Sequence, residues 1–81
     1  MFYTYVLKSL KFSGQIYIGC TKDVKKRLKK HNEGGSSHTS RYKPWALVFF
    51  AAFTTKSKAL SFEKYLKSSS GKAFMRKRLI S

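Results

Sequence analysis

The scarcity of acidic side chains constrains this chain more than any other feature of its sequence. Only three of its 81 residues are acidic, against 18 Lys and Arg, which gives a formal net charge of +15. Such charge opposes folding by self-repulsion, and a polyanionic partner, with nucleic acid as the first candidate, usually explains it. Three acids also exclude a carboxylate-rich metal centre. At this length we expect one domain over residues 1–81 with a small core, and the 16% of aromatic residues argues against disorder.

Cysteine content and apolar runs indicate the location of the protein. Cys20 is the single cysteine, so neither an intramolecular disulfide nor a cysteine-based zinc site can form. The longest apolar run, Trp45–Phe53, has nine residues, whereas a membrane-spanning helix needs roughly 20. No basic segment precedes an apolar stretch at the N-terminus, as a secretory signal would require. We therefore expect a cytoplasmic protein, associated with the nucleoid when it binds DNA, and no membrane partner.

The hydrophobic pattern predicts an α+β fold in which a small, mainly antiparallel sheet of three strands is flanked by helices in the order β-β-α-β-α-α. We expect Thr21 to be the N-cap of the first helix, with Asp23 in its first turn and Gly34-Gly35 at its end. The predicted strands are Phe2–Ser9, Gln15–Gly19 and a fully buried Trp45–Phe53, and Ser36–Pro44 is a polar loop. The predicted helices run to about Asn32, from a cap near Thr55 to the breaker Ser68-Ser69-Ser70-Gly71, and over Lys72–Ile80.

The first predicted helix carries two titratable residues where a core-facing stripe should be apolar. The stripe spans an arc of roughly 100° and consists of Val24, Arg27, Leu28 and His31, at i, i+3, i+4 and i+7. An Arg27 that lies at the edge of the stripe and a hydrogen-bonded, packed His31 would explain the pattern structurally. A functional site is the other explanation.

The second predicted helix places a carboxylate on its apolar stripe, which consists of Ala59, Phe62, Glu63 and Leu66. Glu is almost never fully buried unless it is paired. A salt bridge from Glu63 to Arg27 or to a neighbouring lysine is one explanation. The other is a hard metal ion, because Mg²⁺ is often held by one or two carboxylates while waters and phosphate oxygens complete its shell. The other two acids are better explained by helix ends, so Glu63 is the candidate metal ligand.

Tyrosines on the first two strands are a third candidate feature. Tyr3 and Tyr5 share one face of the first strand, and Tyr17 lies on its expected hairpin partner. Strand aromatics usually pack a core, which we accept for Tyr3. A phenol can also take a proton from an attacking water, but its reference pKa of about 10 then requires a nearby cation at neutral pH. Arg27 and a metal ion would supply that positive charge.

Together these motifs resemble a GIY-YIG endonuclease domain, in particular the small stand-alone bacterial subfamily related to the N-terminal nuclease domain of the excinuclease UvrC. The second signature triplet is intact as Tyr17-Ile18-Gly19, and a short spacer ending in Thr21 leads to a helix that carries Arg27. His31-Asn32-Glu33-Gly34 matches the H-N-x-G of the stand-alone group. The resemblance covers residues 2 to about 80 and includes His38-Thr39-Ser40-Arg41-Tyr42-Lys43-Pro44-Trp45, Glu63-Lys64-Tyr65-Leu66-Lys67 and Ser70-Gly71-Lys72-Ala73-Phe74.

The resemblance implies a metal-dependent endonuclease that hydrolyses DNA phosphodiester bonds, structure-selectively, in DNA repair or recombination. It implies that Tyr5 is the tyrosine of the first triplet, Tyr17 that of the second, Gly19 the motif glycine, Arg27 the phosphate-facing arginine, His31 an assisting residue, and Glu63 the ligand of Mg²⁺ or Mn²⁺. We favour Tyr17 as the general base, with Tyr5 orienting the water or the phosphate. Two positions depart from the pattern: the first triplet reads Tyr3-Thr4-Tyr5, and Met75 stands near the place of an asparagine that larger members carry.

Two other functions are compatible with the charge. A non-catalytic module that binds DNA or RNA and retains the nuclease fold would have no reason to place Arg27, His31 and Glu63 on core-facing stripes. A structural partner-binding domain would use Glu63 and Arg27 as a buried ion pair. For a nuclease we expect contacts to backbone phosphates and therefore little sequence specificity. The alternative is a protein partner that directs the nuclease to its DNA site. The side chains expected to contact DNA are Lys25, Lys26, Lys29, Lys30, Arg41, Lys43, Lys67 and Lys72.

Overall fold

The computed structural model describes residues 1–35 and 37–80, and it confirms the predicted α+β architecture. Ser36 and Ser81, which belong to the predicted loop and domain, lie outside the described residues. The chain forms a three-stranded antiparallel sheet with helices. The elements are β1 (Phe2–Ser9), β2 (Ile16–Thr21), α1 (Val24–Asn32), α2 (Ser37–Ser40), β3 (Trp45–Phe53), α3 (Lys56–Lys67) and α4 (Ser69–Arg78).

The sheet has the strand order β2-β1-β3, so β1 is central and β2 and β3 are edge strands. Tyr5 lies opposite Gly19 of β2 and opposite Phe50 of β3. Successive side chains of a strand point to opposite faces. Val6 therefore packs on one face with Leu66 and Met75 of α3 and α4, whereas Tyr5 packs on the other face in a cluster that includes residues of α1.

The predicted start of α1 is wrong by two residues. The N-cap is Asp23, whose carboxylate accepts a hydrogen bond from the Lys26 backbone N–H at 3.0 Å. Thr21 is instead the last residue of β2, and its hydroxyl accepts from the Asp23 N–H at 3.1 Å. A carboxylate is a strong N-cap because it satisfies a free N–H and interacts favourably with the helix dipole. The hairpin partner of β1 accordingly runs to Thr21 rather than to Gly19.

The predicted loop and the last helix also differ from the structure. The loop contains the short helix α2. The serine-rich breaker does not separate α3 from a helix at Lys72, because α4 already begins at Ser69. The hydroxyl of Ser68 caps α4 by accepting from the Gly71 N–H at 3.1 Å. Gly71 is buried against the Tyr65 carbonyl, and a Cβ at this position would collide with it. Serine and glycine therefore serve here to start a helix and to allow close packing.

The prediction that β3 is fully buried is wrong. Trp45 is buried at 4% exposure, but Phe50 is 53% exposed. An edge strand has a neighbouring strand on one side only, and the helices cover only part of its faces. Within the described residues, no helix is long and apolar enough to cross a membrane.

Candidate active site

A buried hydrogen-bond chain links β1, α1 and α2. Nε2 of His31 lies 3.0 Å from the Tyr5 hydroxyl oxygen, and Nδ1 of His31 lies 2.8 Å from the Thr39 hydroxyl oxygen. All three residues are at most 2% exposed. Both ring nitrogens of His31 are therefore engaged, and its orientation is fixed from two sides.

The pKa shifts of this chain follow from burial and from nearby charge. Burial lowers the pKa of His31, and the positive charges of Arg27 and Lys30 lower it further. Burial and the neighbouring Tyr17 raise the pKa of the Tyr5 phenol well above its usual range, although the Arg27 guanidinium opposes the shift. At neutral pH His31 is thus an uncharged imidazole and Tyr5 a protonated phenol. This combination lets Tyr5 donate to Nε2 while Nδ1–H donates to Thr39.

Gly19 gives the Tyr5 hydroxyl the space it occupies. A Cβ at Gly19 would lie 2.7 Å from the Tyr5 hydroxyl oxygen, 2.9 Å from Cζ of the same ring and 3.0 Å from Cε2 of Tyr17. Real Cβ atoms essentially never approach other atoms within 3.0 Å. The motif glycine is therefore required by the two tyrosines that meet over it.

Tyr17 connects this buried chain to the surface. Its ring centroid lies 4.7 Å from that of His31 and 6.5 Å from that of His38. Tyr17 is half-buried and lines a groove of about 680 Å³. The cationic residues that line the same groove are Lys8, Lys67, Lys72 and Arg76. A phosphate that enters the groove would meet positive charge beside the tyrosine.

Glu63 approaches β2 from the opposite face of the sheet, on α3. Its partner is Lys67, whose Nζ lies 2.7 Å from Oε2, so of the two partners expected for a salt bridge, Arg27 is wrong and a neighbouring lysine is confirmed. Burial by itself raises the pKa of the Glu63 carboxyl, but the hydrogen bond from Lys67, together with the nearby Cys20 thiol and the positive charge of Lys67, outweighs it and leaves the pKa below its ordinary value. The carboxylate is therefore ionised at neutral pH.

Cys20 of β2 lies next to Glu63 of α3. Its thiol donates to the Ala59 carbonyl oxygen at 3.3 Å. Burial and the nearby Glu63 carboxylate raise the pKa of Cys20 to about 11. The side chain is therefore a neutral thiol, and its reactivity as a nucleophile is low.

Arg27 lies on the other side of this edge of the sheet. It is half-buried and lines a shallow groove with Cys20 and Thr21. The charges of Arg27 and Glu63 both influence the Tyr5 hydroxyl, the first lowering its pKa and the second raising it. Tyr5, Tyr17 and His31 therefore lie together beside Gly19, and Arg27 and Glu63 lie near enough for their charges to act on the Tyr5 hydroxyl.

The donor set at Glu63 limits the kind of metal it could hold. Among the described residues there is no group of three or more His, Cys, Asp and Glu side chains that could hold a metal ion. The Glu63 side chain is 19% exposed, so its carboxylate is reachable from solvent. A single carboxylate fits Mg²⁺ or Mn²⁺ when waters complete the shell, and a substrate phosphate would replace some of those waters.

The predicted nucleic-acid-binding side chains lie on the surface but on separate parts of it. Lys67 and Lys72 line the groove beside Tyr17. Sequence reasoning missed Lys8 and Arg76, which line the same groove, because the faces of β1 and α4 can be placed together only in three dimensions. The other predicted side chains are exposed on α1 and on the segment before β3: Lys25, Lys26, Lys29, Lys30, Arg41 and Lys43.

Two further residues that support the site were assigned no role from sequence. Thr39 holds His31 and also accepts, through its carbonyl, a hydrogen bond from the Trp45 indole at 2.9 Å. Asn32 accepts from the Trp45 backbone N–H at 2.6 Å and donates to the Trp45 carbonyl at 3.1 Å. The signal available in the sequence was their place in the His31-Asn32 and His38-to-Trp45 segments of the family resemblance.

Comparisons with known proteins show the family of the chain and its fold. The family model described as the GIY-YIG catalytic domain matches residues 1–78. The UPF0213 protein SSP2268 of Staphylococcus saprophyticus is 41% identical over 67 residues, which cover 82% of this chain and 79% of that protein. The SLX1 homologue of Giardia intestinalis, a structure-specific endonuclease subunit, is 42% identical over 65 residues, which cover 75% of this chain. That match spans only 18% of the Giardia protein.

A solved structure has the same fold. The solution structure of the UPF0213 protein BH0048 of Bacillus halodurans aligns with a TM-score of 0.55 and 34% identity, over 95% of this chain and 84% of that one. Tyr17 and Gly19 of the intact Tyr17-Ile18-Gly19 triplet lie against Tyr5, and Ile18 packs in the core on the opposite face of the sheet. By the family model and by the shared sheet and helix order, the chain belongs to the GIY-YIG catalytic domain family.

Proposed function

We propose that this chain is a metal-dependent endonuclease that hydrolyses DNA phosphodiester bonds and selects branched or interrupted DNA, with a role in DNA repair or recombination. The observation that carries the proposal is that Tyr17 and Lys67 line one cationic groove, and that Lys67 lies 2.7 Å from the Glu63 carboxylate, so the candidate base and the candidate metal ligand adjoin the same groove. A non-catalytic binding domain needs the cations but not the Glu63 carboxylate, whose negative charge would repel a phosphate. The name of the Giardia relative, a structure-specific endonuclease subunit, supports the proposed substrate class.

Tyr17 is the proposed general base. It lines the groove, so a water between its hydroxyl and a bound phosphate can attack phosphorus in line with the leaving 3′-oxygen. Tyr5 is less suited to this role, because it is 1% exposed and its raised pKa keeps it protonated. We therefore revise the role of Tyr5 from orienting the water or phosphate to holding His31 and the ring of Tyr17 in place.

Arg27 and Glu63 are the residues proposed to stabilise the negative charge that develops on the phosphate, Arg27 directly and Glu63 through a divalent cation. The Arg27 guanidinium stabilises the negative charge that builds up on the non-bridging oxygens, an effect that is largest when the donor is held in place beforehand. Glu63 would hold one divalent cation, Mg²⁺ or Mn²⁺, which supplies polarisation of the phosphate and stabilisation of the leaving oxygen. His31 is a positioning residue in this scheme, since both of its ring nitrogens are already hydrogen-bonded.

A cleavage assay with a matched pair of variants tests the proposal. Purified protein is incubated with nicked, flapped and branched DNA, with and without Mn²⁺. Glu63→Gln should abolish metal-dependent cleavage while DNA affinity stays similar or rises, because one negative charge near the phosphate is removed. Glu33→Gln is the control, because it makes the same change at an exposed glutamate that lies 4.0 Å from Lys29.

Three results would each overturn a part of the proposal. Cleavage that does not require a divalent cation would remove the metal from the proposal. Equal cleavage by wild type and by Glu63→Gln would exclude Glu63 as the metal ligand. DNA or RNA binding without cleavage of any substrate would favour a non-catalytic nucleic-acid-binding module.

A further inference from the structure

Lys67 occupies the one carboxylate that the proposed metal requires. Its Nζ lies 2.7 Å from Oε2 of Glu63, one helical turn away. The Glu63 side chain is 19% exposed and that of Lys67 is 54% exposed, so the pair forms at the border between protein and solvent. An ammonium ion at this distance neutralises the carboxylate and competes directly with a divalent cation for it.

The same lysine also faces the groove. Lys67 lines it together with Tyr17, Lys72 and Arg76. A lysine ammonium is a compact charge on a flexible four-carbon stem, so a small rotation can move it from one oxygen to another. Lys67 can therefore bind either the Glu63 carboxylate or a phosphate oxygen of a strand in the groove.

We propose that Lys67 is a positioning residue that binds Glu63 in the DNA-free protein and transfers to a DNA phosphate when a strand enters the groove. The transfer frees the carboxylate for the metal ion as the scissile phosphate arrives. The inference rests on the proposed function, and it concerns the regulation of that same site. Binding of DNA and metal is then coupled, and thermodynamic reciprocity requires each to raise the affinity for the other by the same factor.

Metal binding without DNA is the first test, because it does not depend on activity. Mn²⁺ affinity is measured by electron paramagnetic resonance of the free ion for wild type, Lys67→Gln and Lys64→Gln. Lys64→Gln is the matched control. It removes the same charge as Lys67→Gln, from an exposed residue that is next to Glu63 in α3. Lys67→Gln should bind Mn²⁺ roughly three- to tenfold more tightly than wild type, and Lys64→Gln at most about twofold.

The coupling between metal and DNA is the second test. In a Tyr17→Phe background, which slows cleavage, Mn²⁺ affinity is measured with and without a short branched DNA, after correction for Mn²⁺ bound by the DNA alone. The factor by which DNA tightens Mn²⁺ should be at least about threefold smaller when Lys67 is Gln, and unchanged when Lys64 is Gln. Some coupling remains in the Lys67 variant, because phosphate is itself a metal ligand.

The outcomes separate this inference from the proposed function. If Lys67→Gln binds Mn²⁺ no more tightly than wild type and shows the same coupling to DNA, the role of Lys67 is refuted, while loss of Mn²⁺ binding in Glu63→Gln keeps the metal site. If Glu63→Gln binds Mn²⁺ as well as wild type, the metal site and the inference both fail. If no protein binds Mn²⁺ measurably without DNA, the reciprocal measurement decides: the factor by which Mn²⁺ tightens DNA binding should be smaller for Lys67→Gln than for wild type, and an equal factor refutes the role of Lys67.

Discussion

Replacement of Gly19 by Ala tests the arrangement of the site through a single methyl group. The new Cβ would lie 2.7 Å from the Tyr5 hydroxyl oxygen and 2.9 Å from Cζ of the same ring. The Tyr5 ring is 1% exposed and cannot move into solvent without leaving the core. The ring must therefore shift, and the 3.0 Å hydrogen bond from Tyr5 to His31 is lengthened or lost.

The magnitude follows from three contributions. Overpacking of a tight core costs about 1–3 kcal/mol, and loss of the hydrogen bond costs about 1 kcal/mol. Reduced freedom of the unfolded chain opposes these by about 0.4–1 kcal/mol, because Gly19 lies in ordinary strand conformation. We expect Gly19→Ala to lower the free energy of unfolding by about 1–3 kcal/mol. For a domain of this size that corresponds to a fall in melting temperature of roughly 5–20 °C.

A double-mutant cycle distinguishes the local collision from general damage. Tyr5→Phe removes the hydroxyl that meets the new methyl group most closely, so Gly19→Ala should cost about 0.5–2 kcal/mol less in that background. Gly71→Ala is the control: its Cβ collides with the Tyr65 carbonyl at the junction of α3 and α4, and its nearest neighbours belong to Tyr65 and Leu66 rather than to Tyr5. It should destabilise the fold, and its cost should add to that of Tyr5→Phe within about 0.5 kcal/mol.

The assay is chemical denaturation of the six proteins, including wild type, with DNA cleavage measured in parallel under folded conditions. Cleavage by Gly19→Ala should fall, because the displaced ring moves Tyr17 as well. The reasoning is refuted if Gly19→Ala is as stable as wild type or more stable. Without a collision, replacing a glycine in strand conformation by alanine is expected to raise the free energy of unfolding. It is also refuted if the costs of Gly19→Ala and Tyr5→Phe simply add.

Three further predictions concern the base, the buried histidine and the cationic surface. Tyr17→Phe should lower cleavage by roughly 10²–10⁴-fold with little change in melting temperature, and an unchanged rate would exclude Tyr17 as the general base. The folded-state pKa of His31 lies below its unfolded value of 6.5, so the unfolded chain takes up the proton first and stability is lost as the pH falls from about 6.5 through the folded pKa. Thermal melts at about pH 7 and about pH 5.5 should show a larger decrease for wild type than for His31→Gln, and equal decreases would contradict the assignment. DNA affinity should fall steeply with salt and depend little on sequence; Lys25→Gln and Lys26→Gln should each reduce the log–log slope by about one, whereas salt-insensitive binding would exclude phosphate contacts.

The sequence by itself determined the elements and the faces on which unusual residues lie. The strand Phe2–Ser9, the end of α1 at Asn32 and the start of α3 after Thr55 follow from local patterns, and the structure confirms them. Helical spacing also placed Arg27 and His31 on one stripe and Glu63 on another. These properties depend on neighbours a few residues away, which is why a periodic pattern can predict them.

Which residue begins a helix was determined by tertiary contacts in the cases of α1 and α4. Asp23 rather than Thr21 caps α1 because Thr21 continues the pairing of β2 with β1. Ser68 and Gly71 start α4 rather than interrupt the chain, because α4 packs closely on the end of α3 at the Tyr65 carbonyl. A residue that can serve either a turn or a helix start is assigned by its tertiary contacts.

Only the tertiary structure decided which partner each buried polar group has. His31 is fixed by Tyr5, 26 residues away along the chain, and by Thr39, which a sequence pattern does not connect to it. The partner of Glu63 is Lys67 rather than Arg27, because Arg27 lies on the opposite side of the sheet edge, where it acts on Tyr5 and His31. A periodic pattern shows that a charge lies on a core-facing stripe, but the choice between a nearby and a distant partner depends on how separate elements pack against each other across the sheet.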